Sequence, residues 1–330
     1  MGVPGRQQGR NRVRDRKLRR QLLPDWRLGG DETRHVTSDP GMIAAGPHTV
    51  LDAPPVSVRV SALDGEAAGV VDLLSRVMRA GPSKAGGVEV YVHASRNPPA
   101  IGDSLDSWRS YVVRERVIIR ESPSRETYLC GVPGYPDAYP SQQLRWHLAS
   151  FVACGVLSLL AHRLLLIHAA LVTQGDEGYV LAGESGAGKS TAAARLPPPW
   201  RAPADDLLAA VMTPGGYALV PLPTWSVFDR DAGGDYAVET GRPFPLAGLR
   251  FLEQSGHDGA APLAPTPAVQ RLVENVLPVY GHYWRGLAPR DLVRLRGEVF
   301  AHARRITAAA SCGVLGVSRT GRFWECLRAA

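Results

Sequence analysis

Residues 178–196 read GYVLAGESGAGKSTAAARL. A strand-like apolar run, GYVLAG, passes straight into GESGAGKST, and the helix-favouring text TAAARL follows. Gly183, four residues, Gly188, Lys189 and Ser190 have the spacing of a phosphate-binding loop, in the strand–loop–helix context such a loop requires. The three glycines let the backbone turn tightly, so that successive N–H groups converge on one anion-sized concavity. The helix that follows would add the positive end of its dipole at the same spot. Lys189 would place a compact charge on the β- and γ-phosphates, and the Ser190 hydroxyl would ligate Mg²⁺. Gly183, Glu184, Ser185, Gly186, Ala187, Gly188, Lys189, Ser190 and Thr191 are therefore the expected nucleotide cradle, with ATP and Mg²⁺ as cofactors. The chain has 38 basic residues and only three are lysines, Lys17, Lys84 and Lys189. One of the three stands where the chemistry needs an ammonium.

A phosphate loop does not name a reaction, so its neighbours matter. RAPADD, just downstream, puts Asp205 and Asp206 at the end of a short candidate strand. Adjacent carboxylates there can divide the work: one holds the metal, the other accepts the proton of an attacking hydroxyl. The competing reading makes the pair an N-cap and first-turn acid for a helix over LLAAVM. His168 lies in LLLIHAALV, fifteen residues before Gly183. It reads either as a core histidine or as a residue brought to the loop if that strand hairpins with GYVLAG through TQGDEG.

IHAALV, GESGAGKS and ADD together resemble the HPr kinase/phosphorylase family, which carries a His-Gly strand, a G-[DE]-S-G-x-G-K-S loop and a V-A-D-D strand at similar spacings. PLPTWS, RPFPLAGLRFLEQ and GRFWECL are similar to HPr-kinase-like proteins of peptide-modification gene clusters, most closely the SynChlorMet cassette protein C group. The resemblance covers roughly residues 140–330. It implies a core shared with phosphoenolpyruvate carboxykinase and transfer of the γ-phosphate to a serine hydroxyl of a peptide or small protein. It further implies catalytic roles for Asp205 as acid/base, for Lys189, and for His168 in orienting Asp205 or the phosphate. Ser190 and Asp206 would serve the metal. Three departures stand out. Ala169 follows His168 in place of Gly, and Thr191 stands where the family usually has an acid. The later E-[IV]-R-G-x-G signature, tied to phosphorolysis and to a catalytic Arg, is absent. The expectation is therefore a kinase without phosphorylase activity, its arginine unassigned among Arg230, Arg242 and Arg285. A nucleotide-gated peptide-binding accessory protein without phosphotransfer, or a plain NTPase, is the alternative.

Outward from this centre, the expected fold class is α/β: an HPr-kinase-like nucleotide-binding domain over 141–330, a small α+β module over 56–140 and a disordered basic arm over 1–55. In the module, VSVRV and GVEVYVHAS alternate like strands around a helix in ALDGEAAGVVDLLSRVMRA, and SYVVRERVIIRES and ETYLCG supply further strands. The apolar text after residue 140 predicts a buried helix over about 141–163. Its apolar run, 151–161, is broken by His162 and Arg163 and falls short of a bilayer's thickness, so no membrane span is expected. GVLGVSRTGRFWECLRAA reads as a final strand pair with Cys312 and Cys326 buried, His282–Trp284 as an aromatic cluster at the core edge, and Trp225 in PLPTWS as either core packing or a peptide-holding loop.

The 330 residues are 45% hydrophobic and 21% charged, enough for one large core or two ordinary ones. The net charge of +7 belongs to residues 1–30, where nine Lys/Arg face Asp15 and Asp25. The remainder is balanced, so nucleic acid is not an expected partner beyond that arm. Met42 is a second candidate start. Four cysteines without a CxxC pair exclude a disulfide framework and a zinc ribbon. With no secretory signal visible, the expected location is cytoplasmic. Self-association is left open.

Overall fold

Period-two burial builds the first sheet. In β2 (Val56–Ala62) Val56, Val58, Val60 and Ala62 turn inward while Ser57, Arg59 and Ser61 do not. The computed structural model of the chain describes residues 48–53, 56–78, 87–94, 105–112, 117–132, 142–222, 242–284 and 287–329. Residues Met1–Met42 and Ile43–Ala330 separate as two units, and all described residues belong to the second. The first sheet has the order β1-β2-β3-β6-β5-β4, from β1 (His48–Ala53), β2, β3 (Val88–His93), β4 (Arg109–Val112), β5 (Ile118–Glu121) and β6 (Thr127–Gly131). The β2–β3 and β3–β6 pairs are parallel and the others antiparallel. Helix α1 (Gly65–Met78) crosses over between β2 and β3 and buries Ala67, Val70, Val71 and Leu74, one face at helical spacing. Asp64 starts it: one carboxylate oxygen accepts from Ala67 N and the other from Ala94 N just beyond β3.

Sheet formation thus begins eight residues before Val56. β1 falls within the 1–55 stretch expected to be arm and linker, and pairs with β2 along its whole length. Residues 1–47 of that stretch lie outside the described residues.

Helix α2 (Gln142–Leu159) leads into the second sheet. Every residue from Val152 to Ala161 is buried, so the apolar text serves a protein core. No helix among the described residues is long and apolar enough to cross a membrane. The helix ends before the expected 163. At its end the Arg163 side chain donates to His162 Nε2 and approaches Glu126, which diverts the chain into a turn.

The second sheet has the order β10-β8-β9-β13-β12-β11-β7, with β15 parallel to β13 and β14 antiparallel to β15. Its strands are β7 (Leu164–Ile167), β8 (Ala169–Gln174), β9 (Glu177–Ala182), β10 (Arg201–Ala204), β11 (Leu208–Thr213), β12 (Gly216–Pro221), β13 (Phe244–Gln254), β14 (Gly259–Pro262) and β15 (Ser311–Val317). β8 and β9 form the expected hairpin, and both are buried on both faces. Leu171, Val180 and Ala182 face the large core, whereas Ala170, Val172, Tyr179 and Leu181 face a smaller one with Trp200, Leu252 and Phe323. Helices α4 (Pro265–Tyr283) and α5 (Pro289–Ala309) cover the large core through Ala268, Leu272, Val276 and Tyr280, and through Leu295, Val299, Ala303 and Ile306.

The competing reading of one segment and the expectation for another both fail. LLAAVM is not a helix: Leu208–Val211 is a strand between β7 and β12, and pairing on both edges overrides the helix preference of its Leu, Ala and Met residues. The C-terminus holds one strand, not a pair. Arg195 donates to the carbonyls of Ser318 and Gly321, which a second ladder would need, and the chain turns into the 3₁₀ segment Phe323–Cys326. Cys312 is buried as expected, while Cys326 is half-buried.

Candidate functional site

The expected single strand LLLIHAALV is two strands, broken at His168. β7 pairs with β11, Ile167 opposite Leu208, and β8 pairs with β10, Leu171 opposite Ala204. The offset between the chains is the same on both sides of the break. They therefore run as one antiparallel ribbon whose ladder opens over 168–170 on one chain and Asp205, Asp206 and Leu207 on the other, with a further register shift between Arg201 and Ala204. A polar residue interrupting an apolar strand, opposite two acids that close another, puts three titratable groups at one gap. Asp205 and Asp206 do not start a helix; they join two strands.

Within the gap His168 Nε2 lies 3.0 Å from Asp206 Oδ1, both side chains being about 30% exposed (31% and 28%). The resemblance has His168 orient Asp205 or the phosphate; the structure places it against Asp206, the neighbouring acid. Asp205 is buried, 5% exposed. Behind the pair, the Cys154 thiol is pushed up to about 12 by burial, with the field of Asp206 adding to the rise. It is an inert neighbour at neutral pH.

The 183–191 loop leaves β9 and enters α3 (Lys189–Ala194). Gly183 stands at a close approach: a Cβ there would meet Ala187 Cβ at 3.1 Å and the Leu252 carbonyl at 3.2 Å, and these neighbours would have to give by a few tenths of an ångström. Gly186 (φ 86°) and Gly188 (φ 98°) are both left-handed, and Gly188 caps α3. Ala187 N donates to Glu184 O, closing the turn. α3 has only six residues, so a helix dipole adds little at this loop. Glu184, Ser185, Gly186 and Thr191 are exposed, Gly183, Ala187, Gly188 and Ser190 half-buried.

Lys189 is buried at 6% exposure. Its ammonium donates to Gly183 O at 2.8 Å and Glu184 O at 3.0 Å. Burial lowers its pKa, and Asp206 opposes that shift, so lysine and aspartate feel one another's charge. His168, Asp206, Lys189 and the loop form one neighbourhood.

Two residues that the sequence did not single out hold the loop from outside. Gln254, at the end of β13, donates to Gly186 O at 3.1 Å, and Asn275 on α4 donates to Gly183 O at 3.0 Å. Beside them Arg271 pairs with Glu253 at 2.7 Å. These contacts follow from β13 running parallel to β9 and continuing past its end, Phe251 lying opposite Ala182.

Of the candidate arginines, Arg242 pairs with Asp176 in the β8–β9 turn, at the far end of β9 from the loop. Arg230 and Arg285, with Trp225 and Ser226 of PLPTWS, lie outside the described residues, as does the His282 side chain. No group of three or more His, Cys, Asp or Glu able to hold a metal occurs among the described residues.

Fold and site define a mixed α/β protein with a glycine loop between strand and helix, facing a histidine–aspartate pair. The family described as SynChlorMet cassette protein ScmC matches residues 142–330, more than half of the chain, and the chain belongs to that family. No curated protein matches it.

Proposed function

We propose that this protein is an ATP- and Mg²⁺-dependent kinase of HPr-kinase type, passing the γ-phosphate to a serine hydroxyl of a peptide or small protein. The observation that carries the reading is the 183–191 loop itself. It has two left-handed glycines and a buried Lys189 that stands within the electrostatic reach of Asp206. Membership of a cassette family fits an acceptor made alongside it.

The residues divide as follows. The loop amides and Lys189 take the β- and γ-phosphate oxygens. Ser190 and Asp206 offer hard oxygen donors suited to Mg²⁺, which binds through few protein ligands and phosphate oxygens and therefore arrives with the nucleotide. There it would offset the charge spreading over the transferred group. His168 holds one oxygen of Asp206 and leaves the other for that task. Asp205 takes the serine proton. A bond forms between the serine oxygen and the γ-phosphorus while the bond to the bridging oxygen breaks, its electron pair leaving with ADP.

The test is incubation of the full chain with γ-labelled ATP, Mg²⁺ and candidate cassette peptides. Label on peptide serine is the expected result. Free phosphate alone would make the protein an NTPase, and nucleotide-dependent peptide capture without turnover would make it an accessory module. Asp205→Asn should abolish transfer and leave ATP affinity within about twofold, because the carboxylate acts on the acceptor and not on the nucleotide. Loss of ATP binding in that variant contradicts its role.

A further inference from the structure

We propose that Asn275 is a positioning residue of this loop: it holds the Gly183 peptide in place when Lys189 turns from the loop's carbonyls to a bound phosphate. The inference rests on the nucleotide reading above and adds a residue outside the motif to it.

Gly183 O accepts two hydrogen bonds, one from Lys189 Nζ and one from Asn275 Nδ2. An ammonium has three protons and no acceptor, and phosphate oxygens are stronger acceptors than carbonyls. Phosphate binding therefore draws Lys189 away from Gly183 O and Glu184 O. Gly183 is the tightest point of the loop, and a half-buried carbonyl left without a donor there favours rotation of its peptide. Asn275 supplies the donor that stays. It projects from α4, which is anchored by Leu272 and Val276 in the large core and so does not move with the loop. Its other amide atom, Oδ1, is buried with no hydrogen-bond partner among the described residues. A buried acceptor left unmet is costly, which is consistent with a side chain placed for the loop and not for its own satisfaction.

The test compares Asn275→Ala and Asn275→Asp in the full chain, measuring Mg²⁺·ATP affinity by titration calorimetry and thermal stability side by side. Alanine removes one hydrogen bond, and affinity should fall about tenfold. Aspartate cannot donate to Gly183 O, captures the Lys189 ammonium and repels phosphate, so affinity should fall further, by about a hundredfold. Its new ion pair with Lys189 should nevertheless leave it melting above the alanine variant. A purely structural role predicts the reverse, affinity and melting temperature ranking the two variants alike, and that result overturns the inference. So does wild-type affinity, within twofold, in both variants. A wild-type chain that binds no ATP overturns the nucleotide reading and this inference together.

Discussion

At the scale of single residues, the loop depends on backbone conformations that only glycine adopts cheaply. Gly188 has φ 98° and nothing but Leu252 Cδ2, at 4.0 Å, near the place of an added Cβ. Space therefore does not forbid a side chain there; the torsion does. Gly188→Ala should lower unfolding free energy by about 1–2 kcal/mol, the cost of a left-handed L-residue, and should weaken nucleotide binding as the amide of Lys189 is re-aimed. Urea unfolding followed by tryptophan fluorescence checks the first part, and unchanged stability would mean the loop relaxes without cost. The motif residues were legible because their chemistry requires fixed spacing. Asn275 and Gln254 were not: each acts on a carbonyl tens of residues away in sequence, and an amide on a helix or at a strand end carries no local pattern.

At the scale of elements, periodicity located most strands and helices, and failed where two neighbours compete for a segment. Leu208–Val211 has no alternation to read, since both faces and both edges are covered. The break at His168 lies in a run that is apolar on both sides of one histidine, and only the pairing of β7 with β11 and of β8 with β10 reveals it. The end of α2 offers a pH test. His162 lies in the turn after α2, its pKa lowered to about 4 by burial first and by the field of Arg125 second, with Arg163 and Arg294 acting the same way and Glu298 opposing. Unfolded, the imidazole takes its proton near 6.5. Between those values the unfolded chain binds more protons than the folded one, so this residue's contribution is intact above about pH 6.5 and is lost as pH falls toward 4. His162→Gln removes that dependence. The urea midpoint should drop less between pH 7 and pH 5 in the variant than in the wild type; equal drops would show that the imidazole is freely protonated in the fold.

At the scale of the whole molecule, the first sheet and the part of the chain that matches the family are not independent. One hydrophobic cluster runs from Val56 and Val58 through Cys154 and Leu165 to Ile306. A polar clasp crosses the same boundary. Glu121, fully buried at the end of β5, accepts from the hydroxyls of Tyr111 at 2.6 Å and Tyr128 at 3.1 Å. Arg125 lies 3.4 Å from it, and Arg109 and Arg294 each 3.8 Å. Arg125 also grips both oxygens of Glu298 on α5 and donates to Leu159 O at the end of α2. Glu121→Leu would strand the Tyr111 hydroxyl, leave that of Tyr128 only the Arg125 carbonyl at 3.4 Å and remove three guanidinium contacts, and should cost about 3–5 kcal/mol, the usual penalty for breaking a buried ion pair from one side. Because α2 is covered by α1 on one side and by the second sheet on another, a chain cut to residues 142–330 exposes part of its most apolar helix. That fragment should unfold at much lower urea than residues 43–330, or aggregate. The longer chain should unfold in one transition when fluorescence and circular dichroism are compared. A fragment with the midpoint of the longer chain would show that the clasp and shared core add nothing, and would make the first sheet a separate body fastened to a self-sufficient second domain.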